Sequence, residues 1–216
     1  MNMQKIVPGI QKTPEERVFD EIYRKKSWGG ADSVSGAGSD YDQTEVVRAV
    51  LPLIVKELQC KTLLDVPCGD FFWMNLVELD VDYVGGDIVA GLIRSNQRKY
   101  GGPRRSFMQV DVIRDRLPKA DLVVCRDCLV HFSDAHVFSA LKNIRSSGSD
   151  FLITTTFTQR ERNEDIVTGS WRAINLRLPP FNFPDPLKLV NEKCPTEGYA
   201  DKCLGLWRIQ EIPPMA

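Results

Sequence analysis

Two rhythms of apolar residues alternate along most of the chain: short unbroken runs, and longer stretches in which apolar side chains recur every three or four positions. The first reads as strands covered on both faces, the second as helices with one buried side. Thr62 to Val66, Val81 to Gly86, Arg105 to Val110, Asp121 to Cys125 and the β-branched Phe151 to Phe157 are the strand runs. Leu187 to Val190 and Cys203 to Ile209 supply two more. A helix opens at Thr13-Pro14-Glu15-Glu16, an N-cap followed by proline and acids, and carries Val18, Phe19, Ile22 and Tyr23 on one side. Asp42 and Glu45 form a capping-box pattern ahead of Val46 to Leu58, within which Pro52 predicts a kink or a shifted start. Further helices are expected through Phe72, Met74 and Leu79, over Ile88 to Tyr100 before Gly101-Gly102, and over Ala135 to Ile144. Strands alternating with helices predict an α/β fold, a Rossmann-like, doubly wound, mostly parallel seven-stranded sheet with helices on both faces.

Two stretches break the alternation. Trp28 to Asp42 is rich in Gly and Ser and predicts a mobile loop able to close over a site. Residues 158 to 186 are polar, then dense in proline, and longer than ordinary connections, as binding segments are. The expected organisation is an N-terminal helix and lid over residues 1–43, then one domain over 44–216 with 158–186 inserted for an acceptor. No internal repeat or low-complexity tract is visible.

Composition narrows the function. With 28 Lys+Arg against 29 Asp+Glu, the formal net charge of -1 gives no strong nucleic-acid signal. No apolar run approaches the roughly 18–20 residues of a membrane span, and the N-terminus lacks an apolar leader core. The expected location is therefore cytoplasmic, with the six cysteines as thiols.

In open α/β sheets ligands bind beyond the carboxyl ends of the strands, so the residues just after each strand carry the chemistry. Asp65-Val66-Pro67-Cys68-Gly69-Asp70 follows the first strand, with a glycine that admits close backbone approach. Asp87-Ile88 follows the second, about 20 residues beyond Gly69, where an acid can accept both hydroxyls of a ribose. Asp111-Val112 follows the third, an acid and an apolar residue suited to an exocyclic amine and a base plane; Arg126-Asp127 follows the fourth. Any one of these acids alone could be an N-cap or an ordinary turn residue.

Together they resemble the class I S-adenosylmethionine-dependent methyltransferases, over residues 44 to 157 and more weakly to 209. The resemblance implies that Asp65, Pro67, Gly69 and Asp70 hold the methionine portion of S-adenosyl-L-methionine, Asp87 and Ile88 the ribose, and Asp111 and Val112 the adenine, with Arg126 beside them. The family's glycine-rich loop is reduced here to Gly69, since Pro67 and Phe71 stand where the first and third glycines would be. That loss counts against a dinucleotide, whose pyrophosphate needs those glycines.

Cys125-Arg126-Asp127-Cys128-Leu129-Val130-His131 admits three readings: a zinc site lacking a fourth ligand, a dithiol redox site, or an Asp127/His131 pair with the cysteines as packing. The third matches methyl transfer to a hydroxyl, in which an imidazole near neutrality removes the proton; His131 is the expected general base, with Asp127 orienting it or touching the acceptor. His136 is expected at the surface. No metal is demanded by any spacing. Trp171, Arg172 and Asn175 in the insertion are expected to bind the acceptor by stacking and hydrogen bonding. The runs DVPCGDFFW, CRDCLVHF and TGSWR are similar to methyltransferases of sugar hydroxyls, including one embedded in glycan-building proteins of large algal viruses. The implied acceptor is a small molecule or glycan, such as a deoxyhexose like rhamnose. Methyl transfer to RNA or protein and a non-catalytic binding module are the alternatives.

Overall fold

Seven strands form one sheet: β1 (Thr62–Asp65), β2 (Asp82–Asp87), β3 (Arg105–Gln109), β4 (Leu122–Cys125), β5 (Phe151–Phe157), β6 (Lys188–Asn191) and β7 (Lys202–Arg208). The computed structural model describes residues 12–214; residues 1–11, to which the expected lack of an apolar leader core refers, and 215–216 lie outside it. Strand order is β3-β2-β1-β4-β5-β7-β6. The first five strands run parallel, β7 is antiparallel to β5, and β6 is antiparallel to β7. The chain turns from β1 outward to β2 on one side, while β4 lies on the other, so a crevice opens between the loops that follow β1 and β4.

Alternate strand residues enter two apolar layers. Leu64, Val66, Val123, Cys125, Leu152 and Trp207 face α4 (Asp134–Ser146) and Phe19 of α1 (Pro14–Lys25). Leu63, Leu122, Val124, Ile153, Leu204 and Leu206 face α2 (Glu45–Glu57), which buries Val47, Leu51, Ile54 and Val55. In α3 (Ala90–Tyr100), Leu92 joins the first layer and Ile93 the second. Each fully buried aliphatic side chain contributes about 1.5–3 kcal/mol, so both layers hold the strand ends in place.

Most element boundaries agree with the hydropathy pattern to within two or three residues, and Thr13 caps α1 as expected by accepting from the Glu16 N–H at 3.1 Å. Two expectations fail. Asp42 caps nothing: it lies in a short 3-10 turn, Asp42–Thr44, that runs into α2 without a side-chain cap. Between β1 and β2 there is no α-helix, only a 3-10 turn at Met74–Leu76. Phe71, Trp73, Met74 and Val77 bury themselves in the second layer from an irregular path, although their spacing could fit one helix face. Among the described residues no helix is long and apolar enough to cross a membrane.

Candidate active site

The crevice is a cavity with about 1040 Å³ of space outside protein atoms, part of it open to solvent. Its floor is made by the carboxyl ends of β1, β2 and β3. Asp65 ends β1 and is buried; the Tyr83 hydroxyl donates to its Oδ2 at 2.6 Å. Burial pushes its carboxyl up to about 7 despite that bond. Asp87 ends β2, accepting from the Val89 N–H on Oδ1 at 2.8 Å and from the Gly69 N–H on Oδ2 at 3.1 Å. Burial raises it to about 6 against those two bonds. Asp111, just past β3, accepts from the Ile113 N–H on Oδ1 at 2.9 Å; among the described residues its buried Oδ2 has no hydrogen-bond partner, with Arg114 Nε 3.6 Å away. A buried carboxylate oxygen without a donor costs free energy, and an incoming N–H would recover it.

The turn after β1 shows why one glycine suffices. Gly69 has φ +53, and a side chain there would run into Ser35 Oγ, so the missing Cβ gives room to the lid segment. Phe71, at the place of the third family glycine, also has a left-handed φ of 62. That conformation costs of order 1–3 kcal/mol, offset by packing of its ring on Tyr83, Tyr100 and Phe107.

Arg126 and Asp127 follow β4. The buried Arg126 guanidinium donates to Glu192 Oε2 at 2.6 and 2.9 Å, to the Gly38 carbonyl at 2.8 Å and to the Gln43 carbonyl at 3.4 Å. Asp127 Oδ2 accepts from Lys202 Nζ at 2.7 Å and lies 3.2 Å from Arg126. Burial opposes the Asp127 charge, but Lys202 and Arg126 outweigh it and hold the carboxyl well below the usual range. Sequence reasoning missed Glu192 and Lys202. Register pairs Lys202 with Phe157 at the carboxyl end of β5, so antiparallel β7 begins at the ligand edge, and Glu192 follows β6 beside it.

His131 lies in a 3-10 turn, Leu129–His131, with Nδ1 2.8 Å from the Ser170 carbonyl oxygen. A carbonyl only accepts, so Nδ1 carries the proton and Nε2 keeps its lone pair. Burial pulls the imidazole below its ordinary 6.5, and the ring is neutral at pH ~7. The orienting group is thus the Ser170 carbonyl and not Asp127, whose carboxylate is committed to Lys202, Arg126 and the Thr155 hydroxyl. Cys125 and Cys128 are buried in the apolar layer, and Cys128 is raised by its hydrogen bond to Cys125 and by burial, a poor thiolate for redox work. Among the described residues no three His, Cys, Asp or Glu side chains converge as a metal cluster.

The lid segment lies across the cavity and contributes Trp28, Val34, Ser35 and Ser39 to its wall, next to Phe19 and Tyr23 of α1. Its shape comes from Asp40, which accepts from the N–H groups of Ala31, Asp32 and Ser33. Its attachment to the sheet comes from Asp70, which accepts from the Ser33 hydroxyl and the Val34 N–H, and from Ser35 Oγ, which accepts from the Asp70 N–H.

Asp65, Pro67, Gly69, Asp70, Asp87, Ile88, Asp111, Val112 and Arg126 all line this cavity, as do Asp127 and His131. Trp171, Arg172 and Asn175 are not among the residues that line it. Arg172 is buried and spends its guanidinium on the Phe132 and Glu164 carbonyls and Asp134. Asn175 accepts from the Arg177 N–H and donates to the Arg160 carbonyl. Trp171 packs edge-on against Phe157 and Tyr199 outside the cavity. The insertion braces the His131 turn: Gly169 N–H donates to the His131 carbonyl and Arg172 N–H to that of Val130. His136 is half-buried rather than at the surface, with Nδ1 2.7 Å from Thr168 Oγ1.

Asp65 and Asp87 hold a proton more tightly folded than their ordinary value of 3.8 allows unfolded. Their share of stability is full below 3.8 and is lost as pH rises through about 6 and then about 7. His131, held below 6.5, has the opposite sign only under that value. Between 6.5 and about 8, the melting temperature of the ligand-free protein is expected to fall with pH, and Asp65→Asn to flatten the decline; equal slopes in the two proteins would be the contrary result.

No family model matches the chain, and no curated protein matches it in sequence. Solved structures do match in three dimensions. The 1,6-didemethyltoxoflavin-N1-methyltransferase of Burkholderia thailandensis, with its substrate and S-adenosylhomocysteine bound, superposes with TM-score 0.63 at 16% identity, covering 96% of this chain and 97% of that one. N-methyltransferase NodS of Bradyrhizobium japonicum, bound to S-adenosyl-l-homocysteine, gives 0.61 at 14%, covering 88% and 97%. Human N-acetylserotonin methyltransferase, in complex with SAM, gives 0.61 at 14%, covering 91% of this chain and 60% of its own length. The fold is that of class I methyltransferases. In this methyltransferase fold the cavity occupies the crevice between β1 and β4, and its three acids stand after β1, β2 and β3.

Proposed function

We propose that this chain is an S-adenosylmethionine-dependent methyltransferase acting on a hydroxyl of a small molecule, with His131 as general base. The observation that carries the reading is the convergence of Asp65, Asp87 and Asp111 on one cavity that also holds a neutral imidazole with a free Nε2. The residues fit the cofactor. Asp111 Oδ2 is a buried acceptor that pairs with Arg114 Nε only at 3.6 Å, and it could take an amine N–H such as an adenine offers. Asp87 is an acceptor suited to ribose hydroxyls, and Asp65, Gly69 and Asp70 surround the place of the methionine portion. S-adenosyl-L-methionine supplies a methyl group made electrophilic by its sulfonium.

The chain's own residues do the rest. His131 Nε2 takes the hydroxyl proton, and the Ser170 carbonyl stabilises the imidazolium that results through Nδ1–H. Asp127, kept ionised by Lys202 and Arg126 on Oδ2, accepts from the Thr155 hydroxyl on Oδ1, and that oxygen can accept a further hydrogen bond from a second acceptor hydroxyl. The lid segment and α1 wall one side of the cavity.

For the acceptor, the finer reading is a hydroxyl of a sugar or glycan, a deoxyhexose such as rhamnose among them. It rests on the sequence runs around Gly69, His131 and Trp171 and on the paired hydroxyl-directed groups His131 and Asp127. A homocysteine-release assay over free sugars, glycosides and phenols tests it. Turnover on sugars supports the reading, and turnover confined to phenols or amines replaces it.

A further inference from the structure

His131 has a second restraint that the scheme above leaves unused. The Trp28 indole lies over the imidazole with ring centroids 4.4 Å apart and planes 24° from parallel. Trp28 belongs to the lid segment, not to the sheet or the insertion. It is gripped from behind: Gly36, at φ +103, passes so close that a Cβ there would come within 3.0 Å of the Trp28 Cβ. Phe19 of α1 packs on the indole at 5.9 Å.

The bond from Nδ1 to the Ser170 carbonyl fixes which nitrogen is protonated, but a single hydrogen bond leaves the ring free to rock about the N···O axis. A flat surface stacked on the imidazole removes that freedom and sets the direction of the Nε2 lone pair. Trp28 opens the lid segment directly after the C-terminal turn of α1, and the segment is held by bonds to the turn after β1 and to Arg126. Ser33 and Val34 donate to Asp70, Asp70 N–H donates to Ser35, and Arg126 donates to the Gly38 carbonyl.

We propose that Trp28 is a positioning residue for the general base, so that seating the lid over the cofactor turn and aligning His131 are one event. The proposal rests on the reading of His131 as base. Trp28 touches no reacting atom itself; it acts through the imidazole. It also keeps water from one ring face, whereas the charged groups that act on the ring are Asp127, which favours its protonation, and Lys202, which opposes it.

The chain has only two histidines, so a carbon-proton spectrum of the imidazole Cε1–Hε1 groups of the full-length protein holds two signals, with His136 as internal control. With S-adenosylhomocysteine present, the His131 proton is expected upfield under the indole ring current. Trp28→Ala moves it downfield and raises its titration midpoint toward 6.5, while His136 stays in place. Trp28→Phe restores part of both effects, and Ser33→Ala, which loosens the lid without touching either ring, moves His131 in the same direction as Trp28→Ala. On an acceptor found by the screen, Trp28→Ala lowers kcat about tenfold or more with the cofactor Kd little changed, as a misaligned base does. A His131 signal and midpoint identical in the parent and in Trp28→Ala overturn the proposal. If the signals move as stated but His131→Ala keeps its turnover, the general-base reading falls and the positioning role falls with it, while the stack itself stands.

Discussion

Asp87→Ala is expected to abolish detectable S-adenosylhomocysteine binding while leaving the protein folded. The loss follows from the carboxylate's position. It ends β2, lines the cavity and binds the Gly69 N–H, so on the proposed reading it would both receive the ligand and hold the turn beside it. A hydrogen bond to a charged group is worth about 1.5–3 kcal/mol, so losing two of them weakens binding by roughly 10² to 10⁴. Stability changes little. Burial already disfavours the Asp87 charge, and replacing it removes that cost while leaving the Val89 and Gly69 N–H groups without their acceptor, so the two effects offset. Thermal melts near neutral pH should therefore show the variant about as stable as the parent. A variant that melts normally and binds S-adenosylhomocysteine as the parent does would take Asp87 out of the cofactor site.

His131→Ala is expected to separate chemistry from binding. General-base catalysis contributes about 10²–10⁴ in rate, so kcat on a hydroxyl acceptor should fall by that factor, with the cofactor Kd within a few-fold of the parent. The imidazole Nδ1 bonds only the Ser170 carbonyl, and its loss leaves Asp65, Asp87 and Asp111 untouched. Initial rates in both proteins across pH ~5 to ~8 check the assignment, because the parent should gain rate as the imidazole loses its proton and the variant should not. Undiminished turnover in the variant would reduce His131 to a packing residue.

How much of this was legible in the sequence depended on the range of the interaction. The sheet was legible because a strand buried on both faces must be apolar along its whole length, as β4 and β5 are. The acids after β1, β2 and β3 were legible because their meaning is positional: each needs only to follow a strand. The segment from Phe71 to Val77 misled, since its apolar residues suggest a helix while their packing is irregular. The partners of Arg172 and Asn175 were hidden for a different reason. Whether a guanidinium or an amide reaches a ligand depends on partners distant in the chain, and here Asp134 and the carbonyls of Phe132 and Arg160 claim them first. Glu192 and Lys202 were silent because only the antiparallel return of β7 brings them beside Asp127. Trp28 lay inside a loop read as a lid, but its contact with His131 is a matter of geometry that no spacing announces.

The central claim is that the crevice between β1 and β4 binds S-adenosylmethionine. A calorimetric titration of the full-length protein with S-adenosylhomocysteine, near pH ~8 where Asp65 and Asp87 are ionised, tests it most directly. One site per chain is the predicted result, with the affinity weakening as pH falls through about 7 and then about 6. Heats no larger than those of dilution across that range would contradict it.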